Sequence, residues 1–450
     1  MHRASAIALA ITAVASVAAA QDTRTVTEPQ IPAACVTLKA AHTSPLKLED
    51  EAKLDTERLQ KAIDGCKGGA VELAAEGSSK AFVSGPIRLK SSVTLLVDKG
   101  VTLFASRNPR DYDIQPGMCG INAPKTGCLP LISLKGASNA GIMGDGIIDG
   151  RGAAKMILDG KEADKSWWDL GHLAKTTAHQ QVPRLIIADH ADNFTLYRIT
   201  LRNSPFFHVT YSNGDGFTAW GVKIDTPSDA PNTDGIDPGG SKNITVTQSY
   251  IRTGDDNIAI KGGSEITNMT VSHNHFYSGH GMSIGSETNG GVSKIRVTDL
   301  SLDGTTAGIR IKSQQAYGGH VHDVVYEDVC IRNSKNPIQL DTNYSANPKP
   351  GKGLIPVFDD ITLRNVRVYG GGKIQFNGFD HEHRIGITLD GVVLDDPAKY
   401  KFDVRHADLT FGPGPVNFMP AGEDSTARGA GGKGKLAECN DKFVPFPVIK

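Results

Sequence analysis

The sequence predicts an all-β, single-domain parallel β-helix, in which each coil of the chain adds short strands to long parallel sheets. The first observation is a phrase of alternating apolar residues with a period near 26 residues, whose copies begin at Asn193, Gly216, Asn243, Asn268, Lys294, Asp323, Asp360 and Gly386. A second phrase falls between these copies, and its first apolar residues are Ile236, Ile258, Met282, Ile309 and Ile338. The third observation is composition, because 50 glycines and only 6% aromatic residues are typical of many tight turns and short strands. A β-propeller blade needs about 40–50 residues, and an ordinary sandwich would not keep one register over so many repeats.

The N-terminal end of the coil is expected to carry a covering helix within about residues 50–66. A solenoid has open ends that must be shielded from water. Asp55 is suited to cap a helix from about Thr56 to Gly65, in which Leu59, Ala62 and Ile63 share one face.

Two other segments depart from the repeat. Residues 153–182 break the period and are expected to form a loop over one face. Residues from about 413 to 435 are rich in Gly and Pro and are expected to be an irregular tail.

Residues 1–20 are expected to be a secretory signal peptide. His2 and Arg3 form a short basic region, an alanine-rich apolar run follows, and Ala18-Ala19-Ala20 supplies a small-residue cleavage site. Cleavage near Ala20 would leave residues 21–450 as the exported β-helix domain. Removal of Arg3 would change the net charge from −1 to −2.

Six cysteines are expected to form disulfides, because their number is even and export leads to an oxidising compartment. Six cysteines allow 15 pairings. Local closure favours Cys119 with Cys128, and order along the chain suggests Cys35 with Cys66 and Cys330 with Cys439. The spacings do not resemble a zinc site, and no metal or cofactor is predicted.

Charge and hydropathy exclude several classes of protein. Lys and Arg number 48 against 49 for Asp and Glu, so a basic nucleic-acid-binding protein is not indicated. Apart from the N-terminal run, no apolar stretch approaches the ~18 residues that cross a bilayer. We therefore expect a protein that binds neither nucleic acid nor membrane and that is a monomer.

Four sequons occur, and three of them, at Asn193, Asn243 and Asn268, occupy the same position of the repeat. Asparagines stacked in equivalent turns explain this better than glycosylation does. The fourth, at Asn343, lies outside that column.

Alignment of the second phrase brings charged residues of successive coils into one patch. Two residues before the first apolar position stand Asp234, Asp256 and His280, with Asp255 one position earlier. One and three residues after it, on a later coil, stand Arg310 and Lys312. These two alternate with core positions and share a strand face, and coils are spaced by ~5 Å.

This patch has the composition of an acid–base hydrolase. Clustered carboxylates repel one another, so at least one should hold a proton near neutral pH while the others remain ionised. A protonated and an ionised carboxyl are what hydrolysis of a glycosidic bond requires. Two cations beside the acids suit a substrate that carries carboxylates.

At these residues the chain resembles glycoside hydrolase family 28, the polygalacturonases. Asn232-Thr-Asp-Gly235, Gly254-Asp-Asp256, Gly279-His-Gly281 and Arg310-Ile-Lys312 are similar to the four signature motifs of that family, in the same order. The longer runs around the first and third motifs resemble bacterial endo-polygalacturonases. Asn257 departs from many fungal members, which have cysteine after the second motif.

The resemblance implies a right-handed β-helix that is one catalytic domain, and hydrolysis of polygalacturonate or pectin with inversion at the anomeric carbon. It further implies the role of each site residue. Asp255 would be the general acid, Asp234 and Asp256 would activate water, and His280 would help keep the acid protonated. Arg310 and Lys312 would bind the galacturonate carboxylate, with Asn232 supporting the site and Tyr344 contacting substrate.

Three alternatives compete with an endo-acting enzyme that attacks within the chain. An exo-acting galacturonidase or related pectin hydrolase would use the same residues. A pectate lyase shares the fold type but would not need His280 and the paired acids. A non-catalytic carbohydrate-binding β-helix would explain the repeat and export, but not three acids, a histidine and two cations in register.

Overall fold

The computed structural model describes residues 21–121, 127–174, 181–345 and 353–449 as a right-handed parallel β-helix. One of its parallel sheets, which we call the site sheet, has one short strand in each coil. Its strands are numbered here in chain order, which is also their order in the sheet. They are β1 (Ile87–Arg88), β2 (Ile132–Lys135), β3 (Ile186–Asp189), β4 (Val209–Ser212), β5 (Ile236–Gly239), β6 (Ile258–Ile260), β7 (Met282–Ile284), β8 (Ala307–Lys312), β9 (Asn336–Asp341), β10 (Gly372–Asn377) and β11 (Tyr400–Arg405).

The remaining coil strands form a second parallel sheet, the broad sheet. Early coils give it two short strands each, and single long strands span the same width at Ile266–Ser278, Val292–Asp303, His320–Arg332 and Ile385–Leu394. Its strands are Ala34–Lys39, Gly69–Ala74, Ala81–Ser84, Val93–Val97, Thr102–Ala105, Gly141–Met143, Ile147–Asp149, Phe194–Tyr197, Thr200–Arg202, Asp215–Trp220, Lys223–Asp225, Lys242–Thr247, Tyr250–Thr253, Ile266–Ser278, Val292–Asp303, His320–Arg332, Val357–Phe358, Ile361–Tyr369, Ile385–Leu394, Ala407–Phe411 and Thr426–Arg428.

Both predicted repeat registers are confirmed. In the site sheet, Ile236 pairs with Ile258, and the column continues through Met282, Ile309 and Ile338. In the broad sheet, one column joins the second residues of all eight copies of the first phrase, from Phe194 to Ile387. These side chains are buried in one continuous core between the sheets, which leaves the alternate residues of the site sheet on its outer face.

The sequon column coincides with a left-handed turn that recurs from coil to coil. Asn193, Asn243 and Asn268 have φ of 52°, 57° and 59°, a conformation that asparagine tolerates better than most residues. Asn243 Nδ2 donates to Asp215 Oδ1 at 2.7 Å, and Asn193 contacts Asn139. The asparagines are therefore turn residues of the repeat, and Asn193 and Asn243 bond to residues of the preceding coil and not to one another.

The N-terminal cover includes the predicted helix, α1 (Thr56–Gly65), preceded by a 3-10 helix at Leu48–Ala52. Leu59 and Ile63 are fully buried, and Ala62 packs against the core. The expected capping contact is absent, because the Asp55 carboxylate accepts no hydrogen bond from a backbone N–H in the first turn of α1. Its Oδ2 accepts from Val83 N at 2.9 Å, and its Oδ1 accepts from Arg58 Nε at 2.6 Å. Asp55 therefore fastens the helix to the first coil.

The segment expected to be a loop over one face has regular structure in its described part. An antiparallel hairpin joins Lys155–Leu158 to Lys161–Ser166, and α2 (Trp167–Ala174) follows. Trp167 is fully buried and makes an edge contact with Tyr112. The expectation of an irregular loop is wrong here, because this segment buries its own apolar anchor.

The C-terminal segment continues the coil with few regular elements, among them a 3-10 helix at Pro397–Lys399 and the strand Thr426–Arg428. Isolated bridges keep residues 415–432 in register with the preceding coils, and Phe418 is buried against Phe402. The irregular tail is thus also the cover of the C-terminal end.

All three disulfides have the predicted pairing: Cys35–Cys66, Cys119–Cys128 and Cys330–Cys439. Within the described ranges, no helix is both long and apolar enough to cross a membrane. The predicted signal peptide, residues 1–20, lies outside those ranges.

Candidate active site

The structure brings all eight predicted site residues to the outer face of the site sheet. Asp234 lies in the turn before β5, Asp255 and Asp256 in the turn before β6, and His280 in the turn before β7. Arg310 and Lys312 project from β8. Because β5 to β8 are consecutive strands of a parallel sheet, residues from four coils lie beside one another.

Asp255 and His280 form a hydrogen-bonded pair that is more accessible than the other acids of the site. His280 Nδ1 lies 2.9 Å from Asp255 Oδ1, and the two side chains are 34% and 23% exposed. The His280 backbone N–H donates to the carbonyl oxygen of Asp255 at 3.0 Å. Flanking glycines permit this approach, because Gly279 has φ of +70° and a Cβ there would lie 2.5 Å from that same carbonyl oxygen.

Asp256 is buried and receives three donors. Arg310 Nη1 and the Ser283 hydroxyl donate to its Oδ1 at 3.1 and 2.7 Å, and Lys312 Nζ donates to its Oδ2 at 2.8 Å. Burial alone would raise the pKa of Asp256, but the charges of Lys312 and Arg310 outweigh burial and hold it far below its ordinary value. Asp256 is therefore ionised, and the two cations are fixed in place by it.

Tyr344 and Asn232 lie at the edges of this cluster. Tyr344 is 40% exposed, its hydroxyl accepts from Arg310 Nη2 at 3.0 Å, and its ring lies 5.3 Å from Lys312 Nζ. Asn232 Nδ2 makes a long contact of 3.5 Å with Asp255 Oδ2. Tyr344 thus contacts the two cations, and Asn232 contacts the more exposed acid.

Sequence reasoning gave no role to Asp237 and Lys261, which lie on the same face. Asp237 projects from β5 in the column of Arg310, and Lys261, directly after β6, shares the column of Lys312. Lys261 Nζ lies 3.7 Å from Asp234 Oδ2. Both Asp237 oxygens are buried without a hydrogen-bond partner among the residues described. Their column positions were the signal that could have identified them.

His208 supports Asp234 from within the coil. It is fully buried, its Nε2 lies 2.7 Å from Thr226 Oγ1, and its Nδ1 lies 3.0 Å from the carbonyl oxygen of Asp234. Burial lowers the pKa of His208 to about 4, so the ring is neutral at neutral pH.

The protonation pattern differs in one respect from the sequence-based expectation. One acid was expected to hold a proton, and burial together with the charge of Asp237 raises the pKa of Asp234 well above its ordinary value. Burial also raises the pKa of Asp237, to about 7. Burial acts in the same direction on Asp255, but the hydrogen bond from His280 outweighs it and the net pKa of Asp255 is lowered. In the free protein the proton thus resides on Asp234 and Asp237, and not on the expected general acid.

One group of side chains in the described ranges has a spacing that could suit a metal ion. Ligand atoms of Asp255, Asp256 and His280 lie within 4.8 Å of one another. Both oxygens of Asp256 already accept from a cation, and Arg310 and Lys312 would repel a metal ion at that position. The donor set therefore fits proton transfer better than metal binding.

Acids, a histidine and cations on the outer face of a parallel β-helix define an acid–base glycoside hydrolase. Comparisons with known proteins give its family. The chain belongs to the glycosyl hydrolases family 28, whose sequence model matches residues 69–409.

Similar relatives cover most of the chain. An endo-polygalacturonase of Pectobacterium carotovorum subsp. carotovorum is 44% identical over 85% of this chain and 92% of its own length. A polygalacturonase of Ralstonia nicotianae is 40% identical over 94% of this chain and 92% of its own length. Among solved structures, a polygalacturonase from Erwinia carotovora ssp. carotovora superposes with a TM-score of 0.79 at 42% identity, covering 86% of this chain and 99% of that one.

Proposed function

We propose that the protein hydrolyses α-1,4-galacturonosidic bonds within polygalacturonate or pectin chains, by an inverting acid–base mechanism, after export from the cell. The observation that carries the proposal is the adjacency of two parts of the site. The half-exposed Asp255–His280 pair lies beside Asp256, which fixes Arg310 and Lys312. The Asp255–His280 pair can move a proton, and Arg310 and Lys312 can hold a substrate carboxylate beside that pair.

Asp255 is the residue that we assign as general acid. Its carboxyl proton passes to the glycosidic oxygen as the C1–O bond breaks, and His280 returns a proton to Asp255 afterwards. Its exposure supports this choice over Asp234, which is only 3% exposed. A bound uronate adds negative charge and excludes water, and both effects raise the pKa of Asp255 in the complex.

Asp234 and Asp256 are assigned to the attacking water. The water oxygen bonds to C1 from the face opposite the leaving group, and its proton passes to a carboxylate. Asp256 is the ionised one of the two in the free protein. When the substrate carboxylate competes for Arg310 and Lys312, Asp256 becomes more basic, which couples substrate binding to activation of water.

Product size during hydrolysis tests the endo mode. On polygalacturonic acid, we expect mixtures of oligomers at the earliest times, with rapid loss of viscosity. Monomer or dimer alone from the start would show exo attack, and no reducing ends at all would favour the non-catalytic carbohydrate-binding alternative.

Inversion is tested separately by following the first-formed product by ¹H NMR. Water attack opposite the leaving group on an α-linked polymer gives the β-anomer. Initial accumulation of the α-anomer would contradict the assignment of Asp234 and Asp256 to water.

A further inference from the structure

Arg184, two residues before β3, is an arginine on the site face that forms no ion pair with a carboxylate of the described residues. Its Nε is buried without a hydrogen-bond acceptor, and within the described ranges no ion pair of 4.0 Å or less includes its guanidinium. Its Cζ lies 5.0 Å from the ring centroid of Phe207 and 5.4 Å from that of Phe206. The two rings stack on each other at 4.2 Å, which holds the guanidinium in a fixed place.

Other arginines that lie over phenylalanine rings in this protein are neutralised. Arg58, Arg252 and Arg332 lie over such rings. Each also forms an ion pair with an aspartate, at 2.6 Å in all three cases. Stacking on an aromatic ring therefore does not by itself explain the half-buried Arg184, whose buried Nε has no acceptor among the residues described, and leaving that donor unmatched has a free-energy cost.

The position of Arg184 relative to the acids is informative. One strand, β4, separates β3 from β5, which carries Asp237, and Arg310 and Lys312 project from β8 on the other side of β5. The ring of Phe207 also lies under Lys261, with Nζ 5.7 Å from its centroid. Arg184 thus stands at the opposite flank of the acid cluster from the two predicted carboxylate-binding residues.

We propose that Arg184 binds a second uronate carboxylate of the polymer, on the side of the scissile bond opposite to Arg310 and Lys312. The inference rests on the proposed function, since it requires a polyuronate substrate. A guanidinium presents a planar fork of donors that matches a carboxylate in two parallel hydrogen bonds. The stacked phenylalanines orient that fork before substrate arrives, which lowers the entropic cost of binding.

Substitution of Arg184 by Met gives the first test. Methionine keeps an apolar stem over the rings and removes the charge. We expect KM for polygalacturonate to rise about 10- to 100-fold, from loss of a charged hydrogen bond, with a smaller change in kcat. The preferred cleavage position in end-labelled hexagalacturonate should also shift, because one of two charged anchors is lost. R184K should recover part of the loss in KM.

The matched control is Arg332→Met, which removes an arginine stacked on Phe443 at 4.3 Å on the broad sheet, away from the site. It should leave KM and the cleavage position unchanged. Wild-type KM and cleavage position in R184M would overturn the inference. Wild-type activity on polygalacturonate is the separate check on the proposed function, so the two failures are distinguishable.

A second test uses the wild-type protein and does not depend on a variant that folds. Hexagalacturonates with a single methyl ester at a defined position are compared with the unmodified oligomer. We expect kcat/KM to fall at least tenfold for esters at two positions, one on each side of the scissile bond. A fall for esters on one side only would overturn the assignment of Arg184, whatever the variants show.

Discussion

Residue-scale chemistry in this protein depends on the hydrogen bond between Asp255 Oδ1 and His280 Nδ1. Burial raises the pKa of Asp255, but the hydrogen bond with His280 outweighs it, so the carboxyl is ionised in the free protein. A dry, anionic complex favours the neutral carboxyl instead. The pair is thus suited to release a proton only when substrate is bound.

Replacement of Asp255 by Asn tests this role directly. The amide keeps the size of the side chain but carries no transferable proton, and general acid catalysis contributes ~10²–10⁴-fold. We expect kcat to fall by that range at an unchanged unfolding temperature. Asp359→Asn is the control, because Asp359 pairs with His320 at 2.8 Å on the broad sheet. More than about a third of wild-type kcat in a folded Asp255 variant would remove Asp255 from the acid role.

Arg310 and Lys312 carry the second residue-scale prediction. Both are more than nine-tenths buried and bonded to Asp256, so neither is a solvated surface cation. Loss of one charged contact should cost ~2–4 kcal/mol of transition-state binding. We therefore expect Arg310→Ala or Lys312→Ala to lower kcat/KM on polygalacturonate by roughly 30- to 1000-fold. Fully methyl-esterified pectin, which lacks the carboxylate charge, should be a poor substrate for the wild-type protein.

Lys242→Ala provides the comparison for that series, since Lys242 pairs with an aspartate on the broad sheet at 3.3 Å. Its kinetics should match the wild type. If the Arg310 and Lys312 variants behave in the same way as Lys242→Ala, the carboxylate-binding role is refuted.

At the scale of elements, the parts that could be predicted from sequence are those that repeat. The register of Ile236, Ile258 and Met282 is visible in one dimension because each coil must place an apolar residue in the same core column. The position of the site could be predicted from that register, since its acids and cations stand at fixed numbers of residues before or after the apolar residues of this column. Elements that occur once, such as the hairpin at Lys155–Ser166, have no second copy with which to align them.

Two other outcomes were beyond sequence reasoning for a different reason. The Asp55 carboxylate accepts from the backbone N–H of Val83 and from the Arg58 side chain, and not from a backbone N–H of its own helix, a choice made by the packing of α1 on the first coil. Asp237 has an ordinary residue type at an ordinary strand position, and only its burial reveals an unusual carboxyl. Tertiary contacts decide both, and neither leaves a local pattern.

The C-terminal segment forms a strap across the broad sheet and carries the element-scale prediction. Cys439 is bonded to Cys330, Lys442 Nζ pairs with Asp299, and Tyr277 donates its hydroxyl to the carbonyl oxygen of Val444 at 2.8 Å. Because this disulfide closes a separation of 109 residues, we expect Cys330→Ser with Cys439→Ser to lower the free energy of unfolding by about 2–5 kcal/mol. Denaturant unfolding measures this.

Cys119→Ser with Cys128→Ser is the matched pair, since that disulfide spans a separation of only 9 residues. Its loss should have a smaller effect in the chain-entropy account. Polygalacturonate hydrolysis at low temperature should survive removal of Cys330–Cys439, because the strap lies on the broad sheet and not on the site face. Equal stability of the two double variants would contradict a strap that holds the solenoid together.

At the scale of the whole molecule, charge is distributed unevenly. The chain has a net charge of only −1, yet the site face combines four acids with four cations on four coils. The acids are Asp234, Asp237, Asp255 and Asp256, and the cations are Arg184, Lys261, Arg310 and Lys312. With every group ionised these charges cancel, so attraction of a polyanion depends on which acids hold protons.

The last prediction is that this attraction weakens as Asp237 ionises. The charged groups that face Asp237 are Asp234, Asp255, Asp256, Lys261 and Arg184. Below pH 7 the buried Asp237 carboxyl is neutral, because its pKa is raised to about 7. Above that pH it adds one negative charge beside the substrate. At about 8 Å and an effective dielectric constant of about 40, one charge costs ~1 kcal/mol, so KM for polygalacturonate should rise ~5-fold between pH 6 and pH 8. Asp237→Asn should lack this rise, and ~1 M salt should reduce it in the wild type.

The stability of the folded protein should depend on the protonation of the same carboxyl. Since the folded pKa lies above the ordinary value, folding gains stability from the neutral carboxyl that is fully present below about pH 4 and is lost as pH rises through about 7. The unfolding temperature of the wild type should therefore fall over that window more than that of Asp237→Asn. Parallel profiles of KM and of unfolding temperature in the two proteins would show that Asp237 does not titrate near neutral pH, and the charge of the site face would then be independent of it.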